Sequence, residues 1–437
     1  MSRGHIGAAI AAMGIALSGQ PVLAENIGDL RSRVEELSRK LKSLEEAQAA
    51  GAAAAAKAVP VAAAPNTKFV EAGSFPGSFM VPGTNTSIRI GALAKLDVLY
   101  DVGAAGGDSA TTTAVPVAGT VAANRKGQTR LHARQSQIRV EARTPTDVGG
   151  LRAYIETDFY GAGGDQLLTN STGLRIRHAY LELGPVLAGQ TWTNFFDLAA
   201  HPETIDFAGP TGTTPLRQGQ LRYTYGSGPH SLAVALENPE GDFTARDGTS
   251  NVNALDSWPD ATARWTYGGS WGHVALRGMA RSIKVDAGRP GQQASDFGYG
   301  LGLSGSAATF GRDKLQYQVN GGRGIGRYIQ DAVNLGAAYN GGTDIGAQSA
   351  LGAVLAYQHW WTDTVRSTAV LGHIMIDNAS SLPRTVTKRM TSAHTNLLWS
   401  PIPAATLGLE YIYERRELES GADGRLNRLQ LGMAYAF

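Results

Sequence analysis

The stretch LQLGMAYAF, residues 429–437, alternates between large apolar side chains and small or polar ones. Successive side chains of an extended strand point to opposite faces, so this stretch separates into two faces. The large apolar residues share one face: Leu429, Leu431, Met433, Tyr435 and Phe437. Such a face needs an apolar environment, although the mean hydropathy of the whole chain is only -0.16.

The same two-residue period recurs along most of the chain. It is clear in SIRIGALAKLDVLY (87–100), QSQIRVEAR (135–143) and LRAYIETDFY (151–160), where apolar residues alternate with polar or small ones. Thirteen further candidate strands lie at residues 174–183, 186–193, 216–226, 230–238, 258–268, 271–283, 296–306, 313–321, 348–361, 364–376, 389–400, 403–416 and 425–437. The pattern therefore predicts about sixteen strands between residues 85 and 437.

Sixteen alternating strands favour an all-β fold, a 16-stranded antiparallel transmembrane β-barrel. A soluble β-sandwich or β-helix is the alternative, but it would turn its polar residues to water and would have sheet edges to protect. In a bilayer every backbone polar group must be paired, so a sheet survives there only as a closed cylinder. Residues 429–437 would close that cylinder, with Tyr435 and Phe437 at the level of the membrane interface. The polar faces would line the lumen, which explains the low mean hydropathy.

The connections between the strands alternate in length, as they do in outer-membrane barrels. In such barrels short turns lie in the periplasm and long loops lie outside. The short connections include residues 144–149, 228–231 and 400–404, and the long polar ones include residues 101–129, 239–257 and 322–347.

The N-terminus carries the features of a secretory signal peptide at residues 1–24. Arg3 is followed by the apolar stretch IGAAIAAMGIAL (6–17), and Val22-Leu23-Ala24 offers small residues before a cut at Glu25. An ordinary buried N-terminal helix is the alternative. The signal predicts export, and with the barrel it predicts the bacterial outer membrane.

Residues 25–48 show a helical period instead of a strand period. Apolar residues recur at spacings of three and four, as at the a and d positions of three heptads, and predict a periplasmic α-helical coiled coil. The seam residues are Ile27, Leu30, Val34, Leu37, Leu41 and Leu44. A lone surface helix is the alternative, and the seam does not decide between a dimer and a trimer. The Ala/Pro-rich residues 49–84 are expected to form a linker.

Composition and motifs exclude several other classes of function. The chain has 39 Lys and Arg residues against 37 Asp and Glu residues, so it lacks the excess of positive charge typical of a nucleic-acid-binding protein. It has no cysteine, which excludes disulfides and cysteine-ligated metals. Gly300, Gly302 and Gly305 spell GxGxxG, but the segment alternates as a strand does. The histidines show no metal-ligand spacing. We therefore expect no catalytic residue, no metal and no cofactor, and hence no enzyme.

The predicted lumen carries more basic than acidic residues. Arginine stays charged at any working pH and offers a planar fork to carboxylates, so such a wall would guide small anions. The inward basic residues are expected to be Arg89, Lys95, Arg139, Arg143, Arg152, Arg175, Arg177, Arg264, Arg277 and Arg281. The alternative is that these residues pair with carboxylates of the barrel wall and serve only to stabilise the barrel. A bulge in RIRHAYLEL (175–183) would change which of its residues face inward.

One connection, residues 193–218, differs from the other loops. It is rich in aromatic and acidic residues, and its apolar content predicts that it folds into the barrel and narrows the pore. Asp197, Glu203 and Asp206 would face the wall arginines and create a transverse field across the constriction.

Several segments resemble the DcaP-like outer-membrane porins. They are FPGSFMVPGTNTSIRIGALAKLDVLYD (75–101), ARQSQIRVEARTPT (133–146), LRIRHAYLELG (174–184), LAGQTWTNFFDL (187–198) and PETIDFAGPTG (202–212). The resemblance implies a homotrimer of sixteen-stranded barrels in outer-membrane lipid, with a periplasmic coiled coil and an inward third loop. It also implies diffusion of small organic anions such as dicarboxylates. The chain departs from that family in its long Ala/Pro linker and its Gly-rich outer loops.

Two other functions are the alternatives to a porin. An outer-membrane hydrolase would need a Ser/His constellation near one rim of the barrel. A tether would use the coiled coil as its functional part, in contact with the cell wall, and the barrel only as an anchor. Deleting residues 25–65 separates the tether from the porin, because only a tether would lose its function with that segment.

Overall fold

The computed structural model describes residues 32, 35–44, 46–47, 70–104, 106–109, 115–288 and 291–437. The chain separates into two compact units, Met1–Phe69 and Val70–Phe437. The predicted signal peptide (1–24) and residues 49–69 of the predicted linker lie outside the described residues.

In the first unit, the described residues 35–44 are helical. The predicted seam residues Leu37, Leu41 and Leu44 lie on this helix, and in the single chain they are 64%, 63% and 67% exposed. The other three, Ile27, Leu30 and Val34, are outside the described residues, so the coiled coil stays a prediction. No helix among the described residues has the length and apolar character needed to cross a membrane.

The second unit is a barrel of sixteen antiparallel strands with five shorter strands attached to it or to its loops. In chain order the strands are β1 Phe79–Met80, β2 Ser87–Gly103, β3 Gln128–His132, β4 Gln137–Thr146, β5 Gly149–Gly161, β6 Gly173–Leu183, β7 Val186–Trp192, β8 Arg217–Ser227, β9 His230–Glu237, β10 Phe243–Ala245, β11 Asp260–Gly269, β12 Gly272–Asp286, β13 Gln293–Ala308, β14 Lys314–Arg323, β15 Ala337–Gly341, β16 Asp344–Ala347, β17 Ser349–Trp360, β18 Val365–Asp377, β19 Thr387–Ile402, β20 Ala405–Leu418 and β21 Asp423–Ala436.

The barrel closes between its first and last strands, β2 and β21. Leu93 pairs with Ala436, and the antiparallel register continues to Asp101 opposite Arg428. β3 and β4 both pair with β2 and together act as one interrupted strand beside it. The predicted closed barrel of sixteen strands is therefore confirmed, because each predicted strand corresponds to one strand of the barrel.

The two faces of each strand follow the alternation in the sequence. On β21, the side chains of Leu429, Leu431 and Met433 are exposed on the outside, whereas Arg428 and Gln430 are fully buried inside. This arrangement leaves an apolar outer band for lipid and a polar inner wall, as a membrane barrel requires. Inside the barrel, buried apolar side chains form a cluster that includes Phe195, Ile325, Tyr328 and Ile374.

Short and long connections lie at opposite ends of the barrel. β4 and β5 are joined by two residues, and so are β8 and β9. The long connections at the other end contain a small sheet in which β10 pairs with β15 in parallel and β15 pairs with β16 antiparallel. The sequence did not predict this sheet, because its strands have only three to five residues.

Two local features depart from a simple alternating barrel. The register between β5 and β6 shifts after Glu156, so that Arg177 falls between the paired residues Ile176 and His178; the suspected bulge is confirmed. Residues 70–84, which were expected to belong to the linker, are part of the barrel unit. Phe75 is buried there, with the guanidinium carbon of Arg143 4.3 Å from its ring centroid.

Candidate functional site

The connection between β7 and β8, residues 193–216, lies inside the barrel and is called the constriction loop here. Its main-chain carbonyls accept hydrogen bonds from inward side chains of strands far apart around the wall. These are Arg277 of β12 to Phe195 (2.6 Å), Gln318 of β14 to Ala200 (3.0 Å), Asn396 of β19 to Glu203 (2.9 Å) and Lys95 of β2 to Ile205 (2.8 Å). The loop therefore follows the inner wall around a large part of its circumference.

Glycines allow the returning half of the constriction loop to lie directly against the wall. A Cβ atom at Gly372 would stand 2.4 Å from the carbonyl oxygen of Thr211, and one at Gly352 would stand 2.8 Å from that of Gly212. Gly212 itself has a φ of +88°. A side chain at these positions would force the loop away from the wall.

A buried carboxylate holds the start of the constriction loop. Glu237, at the end of β9, accepts hydrogen bonds from the hydroxyl of Thr193 (2.6 Å), the backbone N–H of Asn194 (2.7 Å) and the hydroxyl of Thr262 (2.8 Å). Its side chain is almost completely buried. Because removing one partner of a buried charged group costs the full desolvation of that group, this contact fixes where the loop leaves β7.

The three acidic residues predicted for the loop have different hydrogen-bond partners. Asp197 is buried and accepts hydrogen bonds from His273 Nε2 (2.8 Å) and Ser304 Oγ (2.6 Å). Glu203 forms a bidentate pair with Arg366 of β18, at 2.6 and 2.7 Å. Asp206 accepts the backbone N–H groups of Ala208 and Gly209.

The Asp197 tether gives a pH-dependent prediction. Burial raises the pKa of Asp197, but the hydrogen bonds from His273 and Ser304 outweigh it and lower the pKa to about 2, from an ordinary value of 3.8. A carboxyl with a depressed pKa stabilises the fold above its unfolded pKa and loses that contribution as the pH falls through its folded pKa. We expect the extra unfolding free energy of wild type over Asp197→Asn to shrink as the pH falls from about 4 to about 2. Denaturant titrations of both proteins in detergent test this, and a difference that grows on acidification would contradict it.

His273 also connects Asp197 to a second serine. Its Nδ1 lies 3.0 Å from Ser306 Oγ, so serine, histidine and aspartate follow one another in hydrogen-bond order. A hydrolase would need free N–H donors beside the serine to stabilise an oxyanion. Ser306 is instead paired within the sheet on both sides, with His273 and Gln316. The contact acts as an anchor of the constriction loop.

At the short-turn end of the barrel, predicted arginines surround Glu141 of β4. The carboxylate of Glu141 lies within 2.8 Å of nitrogen atoms of Arg89, Arg143 and Arg152. Arg152 also reaches Glu182, at 2.6 Å. Three arginines therefore share two carboxylates, and the group keeps a positive charge.

A second cluster of predicted arginines lies further along β4, β5 and β6. Arg175 pairs with Asp158 at 2.6 Å, and Arg177 bridges Asp158 and Glu156 at 2.9 and 2.6 Å. Arg139 lies 3.2 Å from Glu156. Here again three arginines share two carboxylates.

The remaining predicted basic residues anchor loops. Arg264 donates to the carbonyl of Phe196 (2.7 Å), on the constriction loop that Arg277 and Lys95 also contact. Arg281 is buried with Asp242, at 3.2 Å, in the connection between β9 and β10. These positions face inward, but their hydrogen bonds hold the loops that lie against the wall.

One inward arginine, Arg217, was not among the predicted wall residues, because the sequence assigned it to the loop. It begins β8, and its guanidinium carbon lies 3.5 Å from the ring centroid of Trp192. Among the described residues, no carboxylate lies within ion-pair distance of Arg217. Nothing in the spacing of the sequence distinguishes this residue from the paired arginines.

The second cluster, Arg217 and the constriction loop enclose a cavity of about 840 Å³. Its lining includes Arg175, Arg177 and Arg217 of the strands and Glu203 and Asp206 of the constriction loop. Phe207 of the loop stacks on Tyr160, with ring centroids 4.2 Å apart. In the described part of the chain, no three or more His, Asp or Glu side chains are grouped closely enough to bind a metal ion.

Comparisons with known proteins agree with this architecture. The sequence model of the DcaP outer membrane protein family matches residues 79–437. Porin Omp2b of Brucella canis is 26% identical over 206 residues, which are 46% of this chain and 52% of that protein. The chain thus spans about half the length of the curated relatives it matches.

Two solved structures show the same fold. The outer membrane channel DcaP of Acinetobacter baumannii superimposes with a TM-score of 0.70 at 22% identity, over 83% of this chain and 100% of that one. The trimer form of OmpT, an outer membrane protein of Vibrio cholerae, gives a TM-score of 0.52 at 12% identity, over 80% and 99% of the two chains.

Proposed function

This chain belongs to the DcaP outer membrane protein family, and we propose that it is an outer-membrane porin for small hydrophilic solutes, with a preference for organic anions such as dicarboxylates. One observation carries the proposal. β4 to β8 contain seven arginines and four carboxylates, which leaves three uncompensated positive charges on this wall. In a narrow lumen with low-dielectric walls, such an excess raises the local concentration of anions.

Arg217 is the residue we propose as the main anchor for a solute carboxylate. Its guanidinium has no carboxylate partner among the described residues, and its central carbon lies 3.5 Å from the ring centroid of Trp192, a contact that limits its freedom. A planar guanidinium can bind a carboxylate with two parallel hydrogen bonds. Arg175 and Arg177, on the same cavity, would attract a second carboxylate of the same solute.

The acidic residues of the constriction loop would act on a solute in the same cavity. Glu203 and Asp206 line the cavity together with Arg175 and Arg177, which supports a transverse field. Arg366 compensates much of the charge of Glu203, and Asp197 is turned into the wall. We therefore assign the larger part of the field to the arginine side.

The assembly is proposed by analogy with the trimer form of the Vibrio cholerae structure. We propose a homotrimer in outer-membrane lipid, with residues 25–48 as a periplasmic coiled coil. Contact of that helix with the cell wall would make the tether a second function. A deletion of residues 25–65 with unchanged pore activity and lost envelope attachment would support it.

Uptake into proteoliposomes tests the proposed function. We expect a four-carbon dicarboxylate to enter faster than a neutral solute of similar size, and a diamine of similar size to enter more slowly. The charged wall explains this order, because it attracts the dianion and repels the dication. An equal rate for all three solutes, or the opposite order, would contradict the anion preference, and no uptake would contradict the porin.

A further inference from the structure

The connection between β14 and β15, residues 324–336, is a second inward loop that the sequence did not reveal. The long polar connection 322–347 was expected to lie outside the barrel. Instead, Ile325, Tyr328, Ile329 and Ala332 are each 0% exposed. They belong to the same apolar cluster as Phe195 of the constriction loop.

This second loop contacts the constriction loop directly. The backbone N–H of Gln330 donates to the carbonyl of Thr213 at 2.8 Å. The ring of Tyr328 meets that of Phe195 edge to face, with centroids 5.8 Å apart. Both ends of the constriction loop are therefore packed against the second loop.

The hydroxyl of Tyr328 connects the second loop to the residue that holds the start of the constriction loop. It donates to Asp260 at 2.9 Å and accepts from Gln218 Nε2 at 3.1 Å. The same amide nitrogen of Gln218 also donates to Glu237. Because Glu237 binds Thr193 and Asn194, one buried network joins the two loops.

Asp242, in the connection between β9 and β10, holds the second loop near both of its ends. Asp242 accepts the backbone N–H groups of Arg327 (2.7 Å) and Asn334 (2.8 Å) and pairs with Arg281. A Cβ atom at Gly336 would stand 2.1 Å from the carboxylate of Asp242, so the chain can approach only because this residue is glycine. Asp242 thus holds the second loop on both sides of Tyr328 and Gln330, the two residues that contact the constriction loop.

We propose that residues 324–336 are the positioning element of the constriction, with Tyr328 as the positioning residue that sets the free cross-section of the pore. The inference rests on the proposed pore function, and it adds a second loop to the structure that determines which solutes pass. Tyr328 acts through Gln218 and Glu237 on the constriction loop. Gln330 and Val333 of the same loop line the cavity, so a shift of the loop also changes the cavity wall.

Tyr328→Phe tests this proposal, with Tyr339→Phe as the matched control. Tyr328→Phe keeps the ring on Phe195 but removes the bridge to Gln218 and Asp260. Tyr339 lies on β15, and its hydroxyl donates to the nearby carbonyl of Gly342, at 3.3 Å. In planar bilayers we expect Tyr328→Phe to change the single-channel conductance by roughly twofold, because pore radius determines conductance. Current noise should increase, because a less firmly held loop lets that radius fluctuate. Tyr339→Phe should match wild type.

A cross-link gives an independent readout. The chain has no cysteine, so the pair Thr213→Cys and Gln330→Cys introduces the only thiols. Their backbones are hydrogen-bonded, so the two positions are direct neighbours and can be tested for a disulfide under oxidising conditions. We expect the pair to cross-link and each single variant to stay reduced. No cross-link, or wild-type conductance in a folded Tyr328→Phe protein, would overturn the positioning role, whereas a wild-type protein without conductance would contradict the proposed function instead.

Discussion

Arg217→Glu is expected to lower dicarboxylate uptake by at least about tenfold and to shift the reversal potential toward cations. Arg217 is a cation that has no carboxylate partner among the described residues. The substitution puts an anion in its place in the wall of the cavity. A tenfold change needs only about 1.4 kcal/mol, and a single charge pair at close range supplies about 4 kcal/mol near a protein surface. Proteoliposome uptake and bilayer recordings on the same preparation measure both effects.

Two control variants separate the role of Arg217 from net charge and from packing. Arg125→Glu makes the same charge change at an exposed position in the long connection before β3, and it should leave uptake unchanged. Arg217→Lys keeps the charge but loses the planar fork over Trp192, so it should keep anion selectivity with weaker dicarboxylate uptake. Equal effects of Arg217→Glu and Arg125→Glu would refute a local role.

Gly372→Val is expected to reduce the single-channel conductance to roughly half, because it pushes the constriction loop into the lumen. A Cβ atom at this position would stand 2.4 Å from the carbonyl oxygen of Thr211. Overpacking of this kind costs about 1–3 kcal/mol, which the loop can relieve by moving away from the wall. Single-channel recordings measure the conductance, and thermal unfolding in detergent measures the cost.

Gly278→Val provides the matched control for this substitution. Gly278 lies on β12, and a Cβ atom added there would stand 3.9 Å from a methyl carbon of Leu301, an ordinary van der Waals distance. The variant should fold and conduct as wild type does. If Gly372→Val conducts as well as Gly278→Val, the constriction loop does not depend on close contact with the wall.

The strands were predictable because a membrane barrel imposes the same demand on every one of them. Each strand has lipid on one side and a polar lumen on the other, so the two-residue period appears directly in the sequence. The predicted segment 389–400, for example, corresponds to β19, Thr387–Ile402. The short strand pairs of the outer loops have no such two-sided environment, and no pattern in the sequence indicated them.

The inner surface was predictable only in part. Alternation indicates which side an arginine faces, but not whether a carboxylate from a distant segment neutralises it. Glu203 and Arg366, for example, are 163 residues apart. Arg177 and Arg217 both line the cavity, but among the described residues Arg177 pairs with carboxylates and Arg217 does not. The apolar composition of residues 193–218 indicated an inward loop, whereas residues 324–336 gave no comparable signal because polar residues flank them. Long-range pairing of loops needs the three-dimensional structure.

The reversal potential of the purified protein in a planar bilayer under a KCl gradient tests the central claim most directly. The arginine excess on β4 to β8 predicts an anion-selective potential, and the proposed trimer predicts conductance in three coupled steps. A cation-selective potential would show that Glu203 and Asp206 dominate the constriction, and it would contradict the assignment of the field to the arginine wall.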